Sequence, residues 1–206
     1  MNQLIPSTTS STSVLKAPVE HVTPEQKEIL KDAVDKWASQ HRWSERVSWI
    51  ADRDKLLIEW LWQTGMRISD AIAIKFSDIN QSTETVRFIV HKRSRKKPFI
   101  HEITLSKALM FEVFRYRDKW QMSDLIFPIR RSAFDTRLKL YCEIAGIPKL
   151  SAHKFRHGCA MNLLRQGIPP YEIAFRLAHS SVVVTEQVYA RMDYKIEKNM
   201  IDGVVW

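Results

Sequence analysis

The sequence predicts a mainly α-helical domain carrying one small antiparallel β-sheet. Apolar residues recur at helical spacing in segments both before and after residues 83–105. Between Thr83 and Leu105 alone the period drops to two, as in paired strands. A hydrophobic fraction of 45%, with seven Trp in 206 residues, suffices for a packed core.

Residues 1–22 hold the run Ser7-Thr-Thr-Ser-Ser-Thr-Ser13 between Pro6 and Pro18 and show no hydrophobic period, so a flexible tail is expected there and one folded domain over 23–206. Thr23-Pro24-Glu25-Gln26 reads as a capping box, and Leu30, Val34 and Trp37 place a helix at about 24–39. Ile50, Leu57, Trp60 and Leu61 predict a second helix at about 48–63, closed by Gly65. Arg67 is thereby held just beyond a buried helix. Ser69 is expected to cap a short helix carrying Ile72 and Ile74, with Asp70 near its start, able to brace an arginine or imidazole.

Val86, Phe88 and Val90 form one alternating set and Phe99, His101, Ile103 and Leu105 the next. Their connection, Lys92-Arg-Ser-Arg-Lys-Lys97, has five cations in six residues, which predicts a hairpin with a basic tip. Further helices are expected at about 106–120, up to Gly146, at 152–166 with Phe155, Cys159 and Leu163 inward, and at 170–178, 182–191 and 193–201. Cys142 and Cys159 make neither a disulfide framework nor a Cys-x-x-Cys metal pattern, so both are expected reduced within helices.

The chemistry centres on Ser151-Ala-His-Lys-Phe-Arg-His157. Capped at Ser151, this helix start puts His153, Arg156 and His157 on one face, where backbone N–H groups also point outward, a suitable place for a phosphate. A solvated basic helix end is the plainer alternative. A net charge of +9 favours a polyanionic partner, nucleic acid before an anionic membrane surface. No apolar run reaches the ~18 residues of a membrane span, and no secretory signal opens the chain.

Thr64-Gly-Met-Arg-Ile-Ser-Asp70, the Lys-rich connection, the His153-x-x-Arg-His157 stretch, Leu177-Ala-His179 and Val188-Tyr189-Ala follow one another in an order that resembles the catalytic domain of the tyrosine recombinases, the phage integrase family, over roughly residues 45–192. The resemblance implies breakage and rejoining of double-stranded DNA through a 3′-phosphotyrosyl intermediate, with no metal, cofactor or ATP. It implies that Arg67, Arg156 and His179 bind phosphate, that Tyr189 is the nucleophile, and that His153 handles a proton or contacts phosphate, supported by Asp70 and His157. Lys92 would protonate the 5′-oxygen, with Lys96 and Lys97 as competitors. Tyr189 lies ten residues after His179, one more than is usual for the family, and Tyr194 is the second candidate.

Arg93, Arg95, Lys96, Lys97 and Lys154 would contact the DNA backbone, and Arg130, Arg131, Arg137 and Lys139 suit the same role. Assembly as a tetramer on paired sites through the tail Ile201-Asp-Gly-Val-Val-Trp206, and a cytoplasmic, nucleoid-associated location in a bacterial, phage or mobile-element host, complete the expectation. Few residues precede the resemblance, which suggests a minimal form similar to the small fimbrial-switch recombinases, or a domain of something longer. A DNA-binding regulator of the same fold and a type IB topoisomerase-like enzyme are the rival readings.

Overall fold

The structure, a computed structural model, describes residues 21–90 and 99–179. Helix α1 (Pro24–Ser39) begins at the expected capping box: Thr23 Oγ1 accepts from the Gln26 N–H at 3.2 Å and Gln26 Oε1 accepts from the Thr23 N–H at 3.1 Å. Helix α2 (Glu45–Thr64) starts three residues earlier than its apolar period suggests, because Ser44 Oγ accepts from the Val47 N–H and supplies a cap upstream of the first buried position. α1 packs on α2 and on α5 (Arg131–Ala145), while α2 also meets α4 (Lys107–Trp120) and α6 (Ala152–Arg165). So enclosed, α2 buries Leu57, Ile58, Trp60 and Leu61 completely.

Helix α3 (Ile68–Ala71) differs from expectation at its start. Arg67, not Ser69, occupies the cap position, and its carbonyl accepts the N–H groups of Asp70 and Ala71 at 2.9 Å each. The reversal at Gly65 brings the chain into helical geometry two residues sooner than the hydroxyl of Ser69 suggests, leaving Ser69 exposed.

Three antiparallel strands follow in the order β1 (Ile79–Asn80), β2 (Thr85–Ile89) and β3 (Ile100–Thr104). The β2–β3 register runs from Thr85 opposite Thr104 to Ile89 opposite Ile100. Val86, Phe88, His101 and Ile103 face inward, whereas Arg87 and Glu102 pair across the outer face. Two-residue β1 is too short to show a period, so the sequence does not announce it. The basic connection Lys92–Lys97 lies outside the described residues, as do the helices expected at 182–191 and 193–201.

α7 (Pro170–Arg176) completes the described elements. Two boundary expectations change. Val22, assigned to the tail, is wholly buried, and its N–H donates to the Lys154 carbonyl of α6 at 3.2 Å. Gly158 makes room for it: a Cβ there would lie 2.5 Å from the Val22 carbonyl oxygen. Ser151 sits at the cap of α6, but its hydroxyl accepts no capping hydrogen bond, and the helix is entered from extended backbone alone.

Arg137 also departs from its expected role on DNA. Its Nε donates to Asp54 Oδ2 and its guanidinium lies 4.2 Å from the centre of the Trp37 ring. The fully buried Asp54 carboxylate additionally accepts from Arg53 at 3.0 and 2.8 Å and from the Tyr141 hydroxyl at 2.6 Å. Burial, with the Asp54 charge second, pushes the Tyr141 phenol far above its usual range. This network joins α1, α2 and α5 and consumes the charge of Arg137 internally. Cys142 and Cys159 are both free thiols and buried. Among the described residues no helix is long and apolar enough to cross a membrane.

Candidate active site

The site is assembled at the end of α2. Thr64 Oγ1 donates to the Trp60 carbonyl at 2.7 Å and accepts from the Met66 N–H at 3.2 Å, which satisfies groups that a helix end leaves open. Gly65 then takes the left-handed conformation, φ 63°, and its N–H returns to the Leu61 carbonyl. Arg67 emerges from this reversal with 24% of its side chain exposed, and its Nη1 lies 3.9 Å from Oδ2 of the buried Asp70.

Helix α6 supplies the second part. His153 is exposed and His157 half-buried, and their rings meet nearly at right angles with centroids 4.7 Å apart. Arg156 points inward and is 5% exposed. Its Nη1 donates to the Gly65 carbonyl at 2.9 Å and its Nη2 to the Leu177 carbonyl. One guanidinium thus ties together the three stretches that sequence singled out, around Gly65-Met-Arg67, His153–His157 and Leu177-Ala-His179.

The third part follows α7. Ala178 adopts φ 50°, and the His179 N–H reaches back to the Ala174 carbonyl at 3.0 Å, which fixes the backbone at His179. Burial first, and then the charges of Arg156, Arg67, His157 and His153 in that order, together lower the His179 imidazole to about 4. His179 is therefore neutral near pH 7, beside two permanent cations. His157 is lowered for the same leading reason, burial, with His153, Arg156 and His21 adding to it.

Arg67, Asp70, His153, Arg156, His157 and His179 are thus gathered in one place. Lys154 is half-buried in the first turn of α6. Lys92, Arg93, Arg95, Lys96, Lys97, Tyr189 and its alternative Tyr194 lie outside the described residues. His21, whose charge acts on His157, and Arg176, which holds the Gln63 carbonyl, carry no motif that sequence reading could have used. A cleft of about 980 Å³ along the outer sheet face is lined by Asp70, Asn80, Arg87 and Glu102 but includes neither Arg67, Arg156 nor His179, so it is a different feature. Among the described residues no group of three or more His, Cys, Asp or Glu could hold a metal ion.

Comparison with known proteins identifies the family. Residues 23–195 match the model of the Phage integrase family. Tyrosine recombinase XerD of Haemophilus ducreyi is 32% identical over 152 residues, covering 68% of this chain and 50% of that protein. Tyrosine recombinase XerC of a Roseiflexus species is 29% identical over 155 residues, covering 69% and 48%. The chain spans about half the length of the curated relatives it matches. Among solved structures, the XerH site-specific recombinase in its post-cleavage complex with palindromic difH superposes at TM-score 0.67 with 18% identity, covering 92% of this chain and 54% of that one. The catalytic domain of bacteriophage HP1 integrase superposes at 0.58 with 14% identity, covering 90% and 98%. At these identities the structural likeness speaks for the fold. With most of its length matched by the family model, the chain belongs to the phage integrase family as a tyrosine recombinase catalytic domain.

Proposed function

We propose that this chain carries the chemistry of a site-specific DNA recombinase that cleaves and rejoins strands through a 3′-phosphotyrosyl intermediate, without metal or ATP. The observation that supports it most is the buried Arg156, whose hydrogen bonds to the Gly65 and Leu177 carbonyls hold it beside Arg67 and His179. A guanidinium has five N–H donors, so gripping two carbonyls is compatible with also engaging a phosphate oxygen. Donors fixed before the substrate arrives need not reorganise as charge develops on the non-bridging oxygens.

In this reading the Tyr189 hydroxyl passes its proton to His153 or to solvent and its oxygen attacks phosphorus, forming the 3′-phosphotyrosyl bond. The bond to the 5′-oxygen breaks, and that oxygen takes a proton to leave as a hydroxyl. Lys92 is the proposed donor of that proton, with Lys96 and Lys97 as alternatives, and His153 contacts phosphate or handles a proton. Neutral His179 adds a hydrogen bond without further cationic repulsion in the free site. The phosphotyrosyl link keeps the energy of the diester, so a 5′-hydroxyl can reseal the strand. The cations of the basic connection and Lys154 would hold the DNA backbone, and affinity should fall steeply with salt. Pairing of two sites by a tetramer, through the carboxy-terminal tail, belongs to the same proposal.

The test is trapping on a pool of nicked duplexes of randomised sequence, in the presence of chelator, with wild type beside Tyr189→Phe. A denaturation-resistant adduct that disappears in the variant supports the mechanism. An adduct that persists transfers the role to Tyr194, and demonstrated binding with no adduct favours a DNA-binding regulator.

A further inference from the structure

A helix leaves its last carbonyls without internal donors and gathers partial negative charge there. α2 has no basic residue in its own last turn. Two arginines from elsewhere supply the cations. Arg156 takes the Gly65 carbonyl, and Arg176, the last residue of α7, donates from Nη2 to the Gln63 carbonyl at 2.9 Å. The other arm of Arg176, Nη1, donates to the carbonyl of Thr104 at 3.1 Å, where β3 ends. Its Nε is buried with no hydrogen-bond partner among the described residues, so the two carbonyls set the orientation of the fork.

The surroundings of Gln63 point the same way. Its carbonyl also accepts from Cys159 Sγ at 3.6 Å, and its side chain accepts from Ser106 Oγ at 2.7 Å, just beyond β3. Burial raises the Cys159 thiol to about 11, against the pull of the Arg176 and Arg156 charges. Arg176 is followed directly by Leu177, whose carbonyl holds Arg156, and then by Ala178 and His179.

We infer that Arg176 is a positioning residue: it fixes the end of β3 against the end of α2 from which Arg67 emerges, and it anchors the segment that leads to His179. The inference rests on the function proposed above. The planar fork meets each carbonyl with its own nitrogen, Nη1 for Thr104 and Nη2 for Gln63. Lysine concentrates its donors on one nitrogen and leucine has none. The competing role, a backbone contact to DNA, would be read in affinity and salt dependence, not in rate.

Arg176→Lys and Arg176→Leu are compared with wild type in three measurements: adduct formation at saturating concentrations of the nicked-duplex pool, DNA affinity, and amide hydrogen exchange. A small misplacement of catalytic groups costs roughly 10- to 100-fold in rate. That loss is expected for Leu, with partial recovery in Lys, while affinity changes by less than about threefold. Exchange should rise in Ile100–Leu105 and in residues 63–67, with α1 and α5 still protected. An unchanged rate, a loss confined to affinity with a shallower salt slope, or equal loss of protection in every helix for both variants would each overturn the inference. If wild type forms no adduct, the proposed function fails, and the exchange measurement still decides: unaltered protection of β3 in both variants removes the latch.

Discussion

Gly65, at the end of α2, lies against Cys159 of α6 and Leu177 at the end of α7, and Gly65→Ala tests whether that approach holds the site together. A Cβ at Gly65 would lie 2.3 Å from Leu177 Cδ2 and 3.1 Å from Cys159 Sγ, on backbone with φ +63°. The left-handed conformation costs a residue with a Cβ about 1–2 kcal/mol. Overpacking adds about 1–3 kcal/mol, because Leu177 is only 2% exposed and has no solvent to turn into. The sum is a loss of about 2–5 kcal/mol. Leu177→Ala alone should cost about 2–5 kcal/mol through the cavity it opens.

In the double variant the overlap with Leu177 vanishes while the approach to Cys159 and the backbone part remain, so the two changes should couple favourably by about 1–3 kcal/mol. Urea unfolding of the four proteins measures this directly. Additivity within about 0.5 kcal/mol would show that Leu177 does not bear on Gly65, and the account of how these stretches are joined would be wrong.

Arg156→Lys leaves at least one of the Gly65 and Leu177 carbonyls without its donor. It should lower stability by about 1–3 kcal/mol and slow adduct formation about 100-fold or more, measured on protein verified as folded by circular dichroism. Asp54→Asn strands Arg53 and Arg137 in the interior, so urea unfolding should show a loss of about 3–5 kcal/mol. For His179, the unfolded chain binds more protons than the folded one between its ordinary 6.5 and about 4. Its contribution to stability is therefore complete above pH 6.5 and is lost as pH falls toward 4. The slope of unfolding free energy against pH in this window should be shallower in His179→Gln, and equal slopes would contradict the burial of His179 beside the arginines.

The elements most legible in the sequence are those whose cause lies within a few residues. The Thr23–Gln26 box and the Gly65 and Gly146 reversals each act over one helical turn. The alternation of Val86 and Phe88 with His101 and Ile103 likewise declared a strand pair before its register was known. The grouping of Arg67, His153, Arg156 and His179 was legible through motif order, since each stretch is short and self-contained. Ser69 and Ser151 misled because a hydroxyl near a helix start is a local cue that backbone geometry can leave unused.

What sequence by itself determined is therefore the family and the run of helices around one strand pair. Tertiary structure alone decided the state of the charges. Arg156 and Arg137 are both arginines in helices, yet Arg156 is buried against a carbonyl 91 positions away, and Arg137 is neutralised by a carboxylate 83 positions away. The same holds for Val22 beneath Lys154 and for Arg176 between Gln63 and Thr104. Helical period and capping are properties of neighbouring residues, but the cost of burying a charge depends on the partner across the fold, and no window along the chain contains that partner.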